Sequence, residues 1–212
     1  MLCRFYEPQA GRILIDGRPI TERAPVEVRR SLSVLFQDPV RFAATVHESV
    51  ALADASDVPD PGRVTEAVRG AGAEAIVERL PDGYDTLLGK EFDNGTELSG
   101  GEWQRIALAR ALMRASPIVL LDEPTSAMDS WAEAEWFDRL RAATTGRTTI
   151  IITHRFTTAR RADVIHVMDR GRIVESGNHE DHVAAGGAYA SSWIRQSGAS
   201  KADAVESTGS LV

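Results

Sequence analysis

The apolar positions of this chain fall into short runs separated by turn residues. Ile118-Val119-Leu120-Leu121 and Thr148-Thr149-Ile150-Ile151-Ile152-Thr153 are nearly continuous, the pattern of strands buried on both faces in a parallel sheet. Val164-Ile165-His166-Val167-Met168 has the same character, and Asp169-Arg170-Gly171-Arg172 turns it back through Ile173-Val174-Glu175 as a hairpin. Ser31–Phe36 reads as a further strand, and Gly11–Gly17 as a short one closed by an Asp-Gly turn. Helices interleave with these strands. Gly101–Arg114 is apolar on most sides, which predicts a largely buried helix with its N-terminus left open. Trp131–Ala143 is amphipathic, and its aromatic residues take packing roles. Val64–Leu80 is an Ala-rich helical stretch broken by Gly70 and Gly72, bounded by Pro59, Pro61 and Gly62 before it and by Pro81–Thr86 after it. Met1–Glu7 has a helical look cut short by Pro8, and Ser197–Val212, rich in Ser, Gly and Ala, predicts a disordered tail. The chain therefore reads as α/β.

Composition narrows the class without identifying it. With 212 residues, 43% hydrophobic and 26% charged, the chain suits one domain with a sizeable core. A net charge of −7 leaves no basic excess for displacing counterions from a nucleic acid, so none is expected as a partner. The single cysteine, Cys3, excludes an internal disulfide and fits a reducing compartment. No apolar run approaches the roughly 20 residues that cross a bilayer, and no signal peptide is visible.

Two stretches carry chemistry. Ser99-Gly100-Gly101 opens the buried helix with a hydroxyl, small residues and backbone N–H groups at the positive dipole end, an arrangement that suits a phosphate. Asp122-Glu123-Pro124 follows the Ile118–Leu121 strand, so its carboxylates emerge at the carboxyl edge, where open α/β sheets place their chemistry. Alone, the first is usually a turn and the second a solvated loop; their joint occurrence at this spacing argues against both bland readings. Gln37 leaves the Ser31–Phe36 strand and His154 leaves the Thr148–Thr153 strand in the same manner. His166 reads as a packed or edge histidine. His179 and His182 open a polar helix, where a surface metal pair is a weaker alternative to solvated side chains.

LSGGEWQ at 98–104 resembles the signature motif of ABC transporter ATPase domains, and IVLLDEPTSAMD at 118–129 looks like their Walker B strand, catalytic glutamate and D-loop. The likeness extends through Phe36-Gln37-Asp38 and Phe42–Val50 to Ile152-Thr153-His154-Arg155, covers nearly the whole chain to Gln196, and is closest to exporters. Ser49 replaces a common Asn, and Met128 a common Leu. The resemblance implies a three-layer P-loop NTPase-like core with a mostly parallel sheet over 1–196, a helical signature subdomain at about 45–100, and the tail beyond. It implies ATP and Mg²⁺, with Asp122 and Gln37 on the metal side, Glu123 as general base and His154 at the γ-phosphate. It places Gln37, Ser99, Gly100, Gly101, Gln104 and Asp129 around the nucleotide. The signature would close over ATP held by a second ABC ATPase domain in a head-to-tail dimer. Transmembrane domains would be the other partner, so a cytoplasmic place at the inner face of the membrane is expected.

The family's phosphate loop, G-x-x-x-x-G-K-[ST], does not occur in the 212 residues, whose only lysines are Lys90 and Lys201. The resemblance puts that loop just upstream of Met1. Its strand, expected between the Ile150–Thr153 and Val164–Met168 strands, is therefore taken as missing. Three readings follow: the ATP-hydrolysing domain of an exporter in truncated form; a soluble ABC-type ATPase of DNA repair or translation, against which the absence of a long coiled-coil insertion and of a basic patch counts; or a non-catalytic partner that supplies only its signature in trans to an intact subunit. An inactive fragment is the remaining alternative, and ATPase activity of the chain alone is in doubt.

Overall fold

The structure is a computed structural model that describes residues 1–54, 60–92, 94–126, 128 and 130–197. The chain divides into two compact units, Met1–Ile152 and Thr153–Val212.

In the first unit, Met1–Pro8 forms turns rather than a helix. Arg4 sits at φ 52°, a left-handed conformation that stops helical propagation before Pro8 can. Strands β1 (Leu14–Ile15) and β2 (Arg18–Pro19) pair antiparallel. Asp16 and Gly17 between them both have positive φ, as the Asp-Gly signal requires. Helix α1 (Pro25–Arg30) leads into β3 (Leu32–Leu35). Helices α2 (Val46–Ala51), α3 (Pro61–Gly70) and α4 (Glu74–Glu78) form a helical arm, and Gly72 at φ 64° makes the break between the last two. Helix α5 (Gly100–Met113) precedes β4 (Ile118–Asp122), α6 (Ser130–Ala143) and β5 (Thr148–Ile152).

Strands β3, β4 and β5 form a parallel sheet in that order, with Leu35 opposite Leu121 and Asp122 opposite Ile152. Alternation along β3 and β4 feeds two cores. Leu35, Val119 and Leu121 face α5, α6 and the helical arm, where Ile106, Leu108, Trp136, Phe137 and Leu140 complete the larger cluster. Leu32, Val34, Ile118 and Leu120 face the other way, against Ile15, Ile20, Val28 and Cys3. These are the layers of a P-loop NTPase-like α/β core.

Strand β5 departs from the expectation of burial on both faces. Ile150 and Ile152 are 36% and 49% exposed. They share a face with Leu120 through the register, but the layer covering that face meets β3 and β4 only. Beyond β5 the sheet has no further strand among the described residues.

In the second unit, α7 (Phe156–Ala159) is followed by β6 (Ile165–Asp169) and β7 (Arg172–Gly177). These pair as the expected hairpin, with Arg170 and Gly171 at positive φ. Only Ile165 of β6 is buried, so its apolar run does not mark a doubly covered strand; a two-stranded pair with one packed edge leaves Met168, Ile173 and Val174 exposed. Helices α8 (His179–Ala185) and α9 (Ala188–Ser197) complete the unit. Ser197 thus ends a helix, while the rest of the expected tail lies outside the described residues.

Because Leu121 is fully buried and Ile152 half exposed, the two should differ as truncation sites. Leu121→Ala is expected to lower the unfolding free energy by about 2–5 kcal/mol, and Ile152→Ala by no more than about 1 kcal/mol. Urea titrations of the two variants measure the contrast, and equal losses would show β5 to be packed as deeply as β4.

Candidate functional site

The candidate site is built where α5 begins and where β3 and β4 end. Ser99 is the N-cap of α5 at φ −62°, ψ 161°, and its hydroxyl accepts from the Glu102 N–H at 3.4 Å. Glu102 reaches back to the Ser99 N–H at 2.7 Å, so a capping box fixes the helix start. Ser99 and Gly100 are exposed, and a side chain at Gly100 would meet open space. The carboxylate of Glu102 pairs with Arg79, just past the end of α4. That pairing offsets an acidic charge at the helix end best suited to an anion. Around the same end, Trp103 Nε1 donates to Glu97 at 3.4 Å, and Arg41 lies 3.6 Å from that carboxylate.

At the sheet edge, the parallel pairing of β3 with β4 brings Gln37, two residues past Leu35, to the same side as Asp122 and Glu123. Gln37 is exposed, and both carboxylic residues are half-buried. The backbone of Glu123 is left-handed at φ 49°, an uncommon conformation for a residue other than glycine. Its N–H donates to the Ile152 carbonyl at 2.9 Å, so the β4–β5 ladder holds one side of the turn. Its carbonyl accepts from Ser126 N–H at 3.3 Å and from Gln104 Nε2 at 2.9 Å. The same amide donates to Ser126 Oγ at 3.2 Å. Thr125 Oγ1, fully buried, donates to Glu133 on α6 at 3.4 Å.

Gln104 is therefore placed differently from the other residues expected around a nucleotide. It is 6% exposed and its amide nitrogen is committed to protein oxygens. Ser99, Gly100 and Gly101 open the same helix at its surface end. Asp129 lies outside the described residues. His154 belongs to the second unit, exposed between Thr153 and Arg155, whose side-chain Oγ1 and N–H hydrogen-bond at 3.0 Å.

Arg110, a charged residue on the largely apolar α5, also proves structural. Its guanidinium donates to the Ser49 carbonyl at 2.6 Å, to Ser49 Oγ at 3.0 Å and to the Val40 carbonyl at 3.1 Å. It also sits 4.4 Å from the centre of the Phe42 ring. Burial pushes its pKa down to about 10. It ties the segment following Gln37 to α5 and lines a cavity of about 250 Å³ with Leu35, Phe36, Val40 and Ala107. Nothing in a periodicity argument marks an arginine as a backbone clamp, although its place on an otherwise apolar helix was the available signal.

Residues 1–126 match the family described as ABC transporter, and the chain belongs to that family. Among its relatives is the ATP-dependent lipid A-core flippase of Hahella chejuensis, 45% identical over 190 residues, which cover 90% of this chain and 32% of that protein. The mycobactin import ATP-binding/permease protein IrtB of Mycolicibacterium thermoresistibile is 40% identical over 201 residues, covering 95% of this chain and 34% of that protein. A solved structure of a bacterial Atm1-family ABC exporter with ATP bound superposes with a TM-score of 0.83 at 42% identity, covering 92% of this chain and 33% of that one. The chain thus spans about a third of the length of these proteins.

Removing the Gln104 amide should loosen the turn at Glu123. Gln104→Leu keeps the volume but takes the amide donor away from the Glu123 carbonyl. A loss of about 1–3 kcal/mol is expected, read by urea unfolding, with faster amide exchange at Ser126. Unchanged exchange there would show that the turn does not depend on the Gln104 amide.

Proposed function

We propose that this chain is the ATP-binding and ATP-hydrolysing part of an ABC exporter, coupled at the inner face of the membrane to transmembrane domains and to a second ATPase domain. The observation that carries the reading is the join between the open end of α5 and the carboxylate edge of β4, made by Gln104 and found in a chain that superposes on an ATP-bound exporter.

In this reading Glu123 orients and deprotonates the attacking water, and its left-handed backbone turns it away from the direction of Asp122. Asp122 and Gln37, hard oxygen donors at one sheet edge, fit Mg²⁺, which would neutralise charge developing on the phosphates. By the family resemblance the γ-phosphate role falls to His154 and the role toward the other domain to Asp129, which lies outside the described residues. Ser99, Gly100 and Gly101 present hydroxyl and N–H groups to a γ-phosphate held by that other domain. Gln104 supports both ends without touching the nucleotide. Its own nucleotide requires a phosphate nest and lysine that the 212 residues do not encode. We propose that polypeptide outside them supplies both, on a strand pairing with β5, the last strand of its sheet among the described residues.

A second reading is favoured by the exposed, fully capped start of α5 together with the lack of a phosphate-loop motif: the chain lends only that helix end to an intact partner.

Two measurements test the leading reading. Each charge-assisted hydrogen bond of a phosphate nest is worth about 1.5–3 kcal/mol, so several of them make up the roughly 8 kcal/mol of a micromolar affinity. Calorimetry of the 212-residue chain with MgATP is therefore expected to show no saturable binding at micromolar concentrations, and a clean one-site isotherm there would contradict the role given to the nest. In a polypeptide joining this chain to a phosphate loop, Glu123→Gln is expected to cut phosphate release at least ~100-fold while ATP affinity stays within about threefold. A loss below about threefold would remove Glu123 from the chemistry.

A further inference from the structure

Within the second unit, α8 carries a histidine that the polar pattern placed at the surface and the fold buries. His182 is 3% exposed. Its Nδ1 lies 3.2 Å from Glu175 Oε2, and its Nε2 lies 3.1 Å from the Ile165 carbonyl. The Ile165 oxygen can only accept. Glu175 also acts as an acceptor: it takes the N–H groups of Ala188 and, at 3.3 Å, Tyr189, the first residues of α9. A carboxylate in that position is stabilised as the anion by the helix dipole. Both ring nitrogens of His182 therefore face acceptors, and only the doubly protonated ring donates to both. A neutral ring would set one lone pair against an oxygen in a site closed to water.

We infer that a proton on His182 clamps the C-terminal unit, joining β6 through Ile165, β7 through Glu175 and α9 through the helix start that Glu175 caps. The other titratable groups around it leave this charge to His182. From α9, Tyr189 stacks on the ring at 4.9 Å, and burial pushes its phenol up to about 12, so it stays neutral. On α8 itself, burial holds His179 below the ordinary histidine value, and its ring shares a 2.9 Å hydrogen bond with the Tyr189 hydroxyl. Glu180 and Arg160 act on these two with opposite signs. Asp181 turns back to the Asn178 N–H, and His166 on β6 is exposed and bonded to Ser176 Oγ. The metal-pair alternative for His179 and His182 fails on the same geometry, since each ring is engaged by protein groups.

The sign follows from linkage. The clamp holds while the ring is protonated and is lost as pH rises through its deprotonation. One proton corresponds to a tenfold change in the opening equilibrium per pH unit. Hydrogen exchange of the whole chain, corrected for intrinsic base catalysis, should show the amides of 165–177 and 188–196 losing up to about tenfold protection per pH unit from the deprotonation of a free imidazole up to that of the clamped ring, and levelling off above it. Amides of β4 should show no such slope, and His182→Leu should abolish it. A flat wild-type profile, or a slope that survives in His182→Leu, overturns the inference. Should that variant fail to fold, the wild-type ring decides: nitrogen chemical shifts of an imidazolium at pH about 6 support the clamp, and those of a single neutral tautomer contradict it.

Discussion

One side-chain amide joins the two chemically distinctive ends of the first unit. Gln104 projects from the second turn of α5, and its nitrogen closes on the Glu123 carbonyl and on Ser126 Oγ. The capping box at Ser99 fixes where α5 begins, and the β4–β5 ladder fixes where β4 ends. With both ends fixed, the amide sets the spacing between them. A buried amide without its acceptor costs about 1–3 kcal/mol, which is large beside the marginal stability of a domain. The left-handed backbone at Glu123 persists because the N–H and the carbonyl of that residue are both held.

The rest of the first unit serves to keep these ends rigid. Leu35, Val119 and Leu121 anchor the sheet against α5 and α6, while Leu32, Val34 and Ile118 anchor it to α1 and the β1–β2 pair. Arg110 does for the segment after Gln37 what Gln104 does for the turn at Glu123, replacing water with a fixed donor beneath a backbone carbonyl. The exposed elements, Ser99, Gly100 and Gln37, lie where backbone and amide groups can face a ligand.

Much of this was legible in the chain. Ile118–Leu121 is a continuous apolar run, and such a run ending in Asp-Glu-Pro fixes both a buried strand and the edge where its acids emerge. Asp16-Gly17 and Arg170-Gly171 announced their turns because few residues adopt positive φ. What a run cannot tell is how far its cover extends: Ile150 and Ile152 have the composition of a doubly buried strand, yet the covering layer stops at β4. Nor does polarity reveal whether a polar group is turned inward. His182 sits among His179, Glu180 and Asp181 and reads as solvated, while its burial comes from β6, β7 and α9, elements outside its own helix. Gln104 was grouped with the nucleotide by its place in a motif, and only the tertiary pairing with Glu123 shows its amide committed to the protein.

The measurement closest to the central claim separates the two ends that Gln104 joins, since in a head-to-tail dimer Ser99 would serve the partner's nucleotide and Glu123 the chain's own. The chain is mixed with an intact homologous ATPase domain, and phosphate release is followed. Ser99→Arg is expected to abolish stimulation of the partner, because the bulky side chain blocks the closed interface, whereas Glu123→Gln is expected to leave it within about twofold. A mixture silenced by Glu123→Gln and untouched by Ser99→Arg would contradict the division of labour between the two ends.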